Sequence, residues 1–261
     1  MERDYYLLRA KLSSYRHLVD RTRSMIRSVF RGCKRPYVAC SFGKDSLCLL
    51  HLAAQERPNI DVVWVRTDEY DEWPDTERVA REFSARFQIT LHEVWAMSIT
   101  ECYRMTGGFY VFADTPEQKK ADAAYARSFV QTITKKAKEL ACDCALIGLR
   151  EEESKRRRIL LRTRGNDFYA KKHDIREVFP LSKWTAQDVW TYIFEHDIPY
   201  PSLYDLSGER EKARNGAMFA ANIQQRGSEL HYAGQLAVLK RMYPELFNRF
   251  AAEFPEVRVY V

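Results

Sequence analysis

The chain has 261 residues, 46% hydrophobic and 30% charged, the balance of an ordinary globule long enough to bury one full α/β core, perhaps with a small appendage. Its formal charge of +6 suits polyanionic partners, nucleotide or nucleic acid, without identifying one. No apolar run reaches membrane-spanning length and Met1-Glu2-Arg3-Asp4 lacks an apolar signal core, so no membrane segment is expected. The scattered cysteines at 33, 40, 48, 102, 142 and 144 then predict reduced thiols in a cytoplasm.

Apolar residues at Leu7, Leu8, Leu12, Tyr15, Leu18, Val19, Met25, Ile26, Val29 and Phe30 recur at helical spacing. They predict an N-terminal helical arm, residues 1–35, packed on the main sheet. Strands are expected at Tyr37–Ser41, Ile60–Thr67, Thr90–Trp95, Cys144–Leu149 and Ile175–Leu181. Helices are expected between and after them at Leu47–Gln55, Asp75–Phe87, Pro116–Leu140 and Thr185–Asp197. Such alternation predicts an α/β domain over 36–205, a parallel sheet with helices on both faces. Gly107-Gly108 and the aromatic run Phe109–Phe112 suggest a mobile connection, a lid over the crevice. Residues 206–261 read as an irregular C-terminal extension of the same domain, helical around Gln235–Phe250.

One stretch carries most of the chemistry. The run Tyr37-Val38-Ala39-Cys40 stops at Ser41-Phe42-Gly43-Lys44-Asp45-Ser46, and the helical Leu47-Cys48-Leu49-Leu50 follows at once. A tight loop there leaves the first helix amides unpaired and converging, where the helix dipole also favours negative charge. Lys44 adds a cation, Ser41 and Ser46 add hydroxyls, and a phosphate chain is the expected guest. A Walker loop is excluded, because Val38 stands where its first Gly belongs and Asp45 where its hydroxyl belongs. The plainer alternative is a strand–turn–helix whose Ser41 merely caps the helix.

Ser41-Phe42-Gly43-Lys44-Asp45-Ser46 resembles the Ser-Gly-Gly-x-Asp-Ser signature of the PP-loop (N-type) ATP pyrophosphatases, with Phe42 in place of the first Gly. Two later stretches resemble elements of the phosphoadenylyl-sulfate (PAPS) reductase-like superfamily and of the sulfate adenylyltransferase small subunit. The first runs from Gly148 through Arg150, Glu153 and Ser154 to Arg157. The second is Pro180-Leu181-Ser182-Lys183-Trp184-Thr185, continuing through Asp188-Val189-Trp190 to Tyr192-Ile193. Three such motifs in order are more specific than any one. The resemblance implies an adenine-nucleotide α-hydrolase-like (Rossmann-like) sheet that cleaves ATP between the α and β phosphates. Ser41, Phe42 (through its amide), Gly43, Lys44, Asp45, Ser46, Thr67, Asp68, Gly148 and Arg150 would hold the nucleotide. Lys44, Asp45, Arg150 and Arg157 would serve catalysis, and Asp45 and Asp68 would be Mg²⁺ ligands. Against this, the cations after Arg150 also fit a solvated helix start with Glu-to-Arg pairs. Asp45 and Asp68 equally fit loop-ordering caps, while Trp184, Val189 and Trp190 read as core.

No cysteine follows Cys144, which disfavours the reductive chemistry of this superfamily and an iron–sulfur cluster. Cys142 and Cys144 read as core sulfur. The expectation is an ATP pyrophosphatase that activates a substrate, with sulfur delivered by a partner such as a cysteine desulfurase. The basic run Lys155–Arg164 points to the DNA backbone, as in the DNA phosphorothioation ATP pyrophosphatases of this superfamily. A solvated face is the other reading of that run. Sulfate activation and a non-catalytic nucleotide-binding module are the alternatives, and the oligomeric state stays open.

Overall fold

A computed structural model describes residues 2–68, 72–108, 115–206, 223–226, 229–232 and 235–260. Two N-terminal helices, α1 (Glu2–Arg9) and α2 (Ser13–Gly32), lead into β1 (Pro36–Ala39), α3 (Lys44–Glu56), β2 (Ile60–Arg66), α4 (Thr76–Arg86) and β3 (Ile89–Trp95). Then come α5 (Ile99–Met105), α6 (Pro116–Glu139), β4 (Cys144–Ile147), a single 3₁₀ turn (Glu151–Glu153), α7 (Lys155–Arg164), β5 (Asp167–Ala170) and β6 (Ile175–Val178). The chain continues through α8 (Ala186–Glu195), α9 (Leu203–Leu206), the small hairpin β7 (Ile223–Arg226) and β8 (Glu229–Tyr232), α10 (Gln235–Met242) and α11 (Pro244–Glu253).

The main sheet has the order β3-β2-β1-β4-β6-β5, parallel except for β5, which runs antiparallel to β6. From β1 the chain first builds outward through β2 and β3, then crosses back to place β4 on the other side of β1. The reversal of strand order therefore falls between β1 and β4, and the crevice outside their carboxyl ends is where such sheets bind ligands.

Alternation along the strands divides two cores. Val38, Val62, Leu146 and Val178 face one side, under Leu47, Leu50, Trp184, Val189 and Trp190 of the α3–α8 layer. Tyr37, Val63, Ala145 and Ile175 face the other, where Ala137 of α6 packs. A third cluster joins Trp73, Tyr103 and Leu203 to the C-terminal Leu239, Phe247, Phe250 and Phe254. No helix of the described residues is long and apolar enough to cross a membrane.

Three differences from the sequence reading have local causes. The N-terminal apolar pattern is two helices, because the turn at Ala10–Leu12 extends the backbone at Leu12 before α2 starts. These helices lie outside the sheet's helical layer: Tyr6 packs on Phe194 at 5.2 Å, and Trp184 Nε1 donates to Thr22 at 2.8 Å. The last predicted strand stops at Val178, before Pro180, whose missing N–H cannot continue a ladder. Gly107-Gly108 closes α5: Gly107 N–H donates to the Arg104 carbonyl at 3.3 Å and Gly108 N–H to the Tyr103 carbonyl at 2.9 Å, with φ of +80° at Gly107 and +151° at Gly108. That is a glycine-dependent helix stop, while Phe109–Phe112, the rest of the expected lid, lies outside the described residues.

Candidate nucleotide site

The loop after β1 is shaped by Phe42, which sits at φ +54°. A left-handed residue there costs about 1–2 kcal/mol when it is not glycine. The ring is fully buried and meets Trp64 edge-on at 4.9 Å, so packing offsets the backbone cost. The benzyl group therefore points into the core and leaves the loop open.

Gly43 is the N-cap of α3, with no side-chain cap; the Ser41 hydroxyl lies 3.4 Å from that of Ser46 instead. Ser46 donates its hydroxyl to the Gly43 carbonyl at 3.0 Å. The amides of Gly43, Asp45 and Ser46 make no hydrogen bond among the described residues. The Lys44 amide donates to the Tyr204 hydroxyl at 3.1 Å. Lys44 itself is 3% exposed; its ammonium lies 3.2 Å from Asp45 and 5.3 Å from the centre of the Tyr204 ring. The first turn of α3 thus presents three open donors and a buried cation, the composition of an anion site.

Beneath the loop lies a buried ion-pair network. Arg150 is almost fully buried, and its Nε donates to Asp45 Oδ1 at 2.6 Å. Its Nη1 reaches Glu152 at 2.7 Å and the Trp184 carbonyl at 3.3 Å, and Glu152 in turn accepts from the Ala186 amide at 2.6 Å. Burial opposes the guanidinium charge, but Asp45, Glu152 and Glu153 outweigh it and hold the pKa above its ordinary value. Glu153 accepts from the Arg150 amide at 3.0 Å and pairs with Arg157. Gly148 lets β4 close on the loop, because a Cβ there would lie 3.1 Å from the Asp45 carbonyl oxygen.

A cavity of about 490 Å³ opens from this loop along the second face of the sheet. Ser41, Gly43, Lys44, Asp45, Ser46, Gly148, Glu153 and Arg157 line its mouth. Farther in, Ala39, Val63, Val65, Ala145, Ile147, Phe129 and Ile133 make apolar walls. Lys138, His173, Asp174 and Glu177 line the cavity as well; its loop end, with Lys44 and Arg157, suits a polyanionic group and its apolar walls suit a flat apolar one.

Not every residue singled out from sequence converges there. The Arg150 guanidinium is turned beneath the loop toward Asp45 and is not part of the lining. Thr67 and Asp68 do not line the cavity either, and Asp68 accepts from the Thr100 hydroxyl. The Arg66 carbonyl, at the end of β2, accepts from Ala96 N–H at 2.8 Å. For Mg²⁺, both Asp45 oxygens face cations, Arg150 and Lys44, and no group of three His, Cys, Asp or Glu among the described residues could hold a metal ion. Asp45 and Asp68 do not fit a shared metal site. Cys144 is buried, with its thiol pushed up by burial, while Cys142 is half-buried at the cavity wall and pushed up to about 11, also by burial.

Tyr204 is the site residue that sequence reading missed. It lines the cavity, caps α3 and stacks edge-on against Trp190 at 5.2 Å. Only tertiary structure brings it 160 residues along the chain to Lys44.

The phosphoadenosine phosphosulfate reductase domain matches residues 35–211. A phosphoadenosine 5'-phosphosulfate reductase of Synechococcus sp. is 26% identical over 168 residues, 64% of this chain and 68% of that protein. Sulfate adenylyltransferase subunit 2 of Caulobacter vibrioides is 28% identical over 229 residues, 80% of this chain and 71% of that protein. The crystal structure of a PAPS reductase from Candida auris, a phosphate complex, superposes with TM-score 0.55 at 22% identity, covering 75% of this chain and 93% of that one. At that identity the structural likeness speaks for the fold.

Proposed function

The chain belongs to the phosphoadenosine phosphosulfate reductase domain family, and from that premise we propose that it binds ATP at residues 41–46 and cleaves it between the α and β phosphates, passing the adenylyl group to an acceptor. The observation that carries this reading is the set of open amides at Gly43, Asp45 and Ser46 beside the buried ammonium of Lys44. Adenosine would lie in the apolar part of the cavity and the β and γ phosphates in the loop.

In the reaction an acceptor oxygen attacks the α-phosphorus, a new P–O bond forms, and the bond to the β-phosphate oxygen breaks. Pyrophosphate leaves with the electron pair. The amides and Lys44 take up the charge that grows on that oxygen, and they are already oriented before the reaction starts. Arg150 acts through Asp45: it fixes the carboxylate that holds Lys44. Arg157, at the mouth with Glu153, contacts the triphosphate from the opposite side.

For the acceptor we favour the DNA backbone, with sulfur supplied afterwards by a partner such as a cysteine desulfurase. Supporting this, α7 leads directly away from Arg157 and exposes Lys155, Arg156, Arg158, Arg162 and Arg164. Sulfate is the second reading, favoured by the long match to the adenylyltransferase subunit.

ATP labelled at the α or γ position decides the chemistry. Labelled AMP or adenylylated acceptor together with labelled pyrophosphate is the expected result; ADP and orthophosphate would refute it. Parallel reactions with duplex DNA and with sulfate assign the acceptor by which one raises pyrophosphate release.

A further inference from the structure

The sheet register sets Tyr37, Ala145 and Glu177 in one cross-strand row, because Tyr37 pairs with Ala145 and Ala145 with Glu177. All three line the cavity beneath α6. Tyr37 lies three residues before Cys40, about 10 Å from the loop end of β1 at the rise of a strand. Neighbouring strands are about 4.8 Å apart, so Tyr37 and Glu177 flank a gap that the methyl group of Ala145 does not fill. Ala39 on the sheet and Ala137 on α6 are equally small, and both border the same space.

Tyr37 is 3% exposed, yet its hydroxyl makes no hydrogen bond among the described residues. That hydroxyl is not one of the fully enclosed, unbonded polar atoms of the interior, so it opens on the cavity that its side chain lines. Burial pushes its pKa up, which keeps it a neutral hydroxyl able to donate. Folded proteins seldom leave such a group unsatisfied. Across the gap, Glu177 accepts from His173 Nδ1 at 2.5 Å and makes no second side-chain hydrogen bond among the described residues. Its other oxygen only accepts while the carboxylate is ionised. Lys138 and Asp174, at the same end, are exposed at the rim. The deep end thus offers one enclosed donor and one acceptor, and the reaction proposed above uses neither.

We propose that Tyr37 and Glu177 read the base of the bound nucleotide and select one that carries an amine beside an unprotonated ring nitrogen, the edge of adenine. The free Glu177 oxygen accepts from the amine, and the Tyr37 hydroxyl donates to the ring nitrogen. With its phosphates at the loop, an adenosine is long enough to bring that edge to the row. A base with a carbonyl and a ring N–H at those positions turns an oxygen toward the carboxylate and a donor toward the hydroxyl proton, so it is rejected by repulsion as well as by lost bonds. That a nucleotide occupies this cavity with its phosphates in the loop rests on the reading in the previous subsection.

Three probes titrated calorimetrically into the full chain test this: the α,β-methylene analogues of ATP and of inosine triphosphate, and inorganic triphosphate. The two nucleotides differ only at the edge in question, and neither can be cleaved between the α and β phosphates. The unaltered protein should bind the adenine analogue at least about tenfold more tightly than the hypoxanthine one. Tyr37→Phe removes only the hydroxyl and should weaken the adenine analogue by about tenfold while inorganic triphosphate binds as before. Glu177→Gln offers a donor to the carbonyl and should abolish or invert the preference, which keeps the test decisive if Tyr37→Phe folds poorly. Equal affinity for the two nucleotides in the unaltered protein overturns the assignment, as does a preference that survives both substitutions. Failure of inorganic triphosphate to bind, with the base preference intact and sensitive to both substitutions, would support the base-reading row and count against the loop alone.

Discussion

The loop after β1 and helix α7 both carry cations proposed to act on polyanions, and the fold treats them in opposite ways. Lys44 is buried, paired with Asp45 and covered by the Tyr204 ring, while Asp45 is itself held by Arg150. On α7, Lys155, Arg156 and Arg158 are exposed and make no ion pair among the described residues. Burial fixes a charge against one atom of a ligand and shields it from salt. Exposure leaves a charge that attracts any polyanion at a distance and is weakened as salt rises. On the proposed function, the first region would serve a step in the reaction and the second would gather a partner.

Substitutions separate the two kinds of cation most sharply at Lys44. Lys44→Ala should lower pyrophosphate release by about 10³-fold, in line with loss of a buried transition-state donor, while circular dichroism stays native because Asp45 keeps Arg150. Undiminished turnover would place Lys44 among the merely structural charges. Arg150→Ala should instead act on stability, by about 1–3 kcal/mol, since it removes the partner of one Asp45 oxygen and leaves Lys44 as the remaining cation; chemical denaturation gives the value directly. A loss under about 1 kcal/mol would show the network to be dispensable.

Phe42→Gly tests the loop's backbone against its core. Glycine recovers about 1–2 kcal/mol of left-handed strain, yet deleting the ring costs about 3–5 kcal/mol, so a net loss of about 2–3 kcal/mol is expected. A stabilised variant would mean that the ring contributes little to the core. The smallest effect on the fold belongs to α7. Replacing Lys155, Arg156 and Arg158 together by Ala should leave the melting temperature unchanged and weaken DNA retention. The slope of log affinity against log salt should fall by up to about 3, and an unaltered slope would return these residues to a solvated face.

Much of this frame can be read from the chain. β1, the loop and α3 announce themselves because an apolar strand, a tight turn and an apolar helix follow without a gap, and Gly148 marks the close approach of β4. Thr185 and Asp188 of the last motif form a reciprocal helix cap, with amide contacts of 2.8 and 3.1 Å. Other features depend on contacts distant in sequence. Helix α5 is only 7 residues long and is capped by Ser98 and Glu101. Strand β5 has one partner, β6, and too little apolar alternation to stand out. The sequence marks Arg150 as a site cation, whereas its guanidinium points toward Asp45 beneath the loop, a direction set by α8 and the Trp184 carbonyl. Tyr204 carries no motif at all; packing alone brings it to Lys44.

The most direct test of the account is a crystal structure with a non-hydrolysable ATP analogue bound. The β and γ phosphate oxygens should lie within hydrogen-bonding distance of the Gly43, Asp45 and Ser46 amides, with the Lys44 ammonium beside them. Phosphates seated elsewhere in the crevice, with those amides still open, would contradict it.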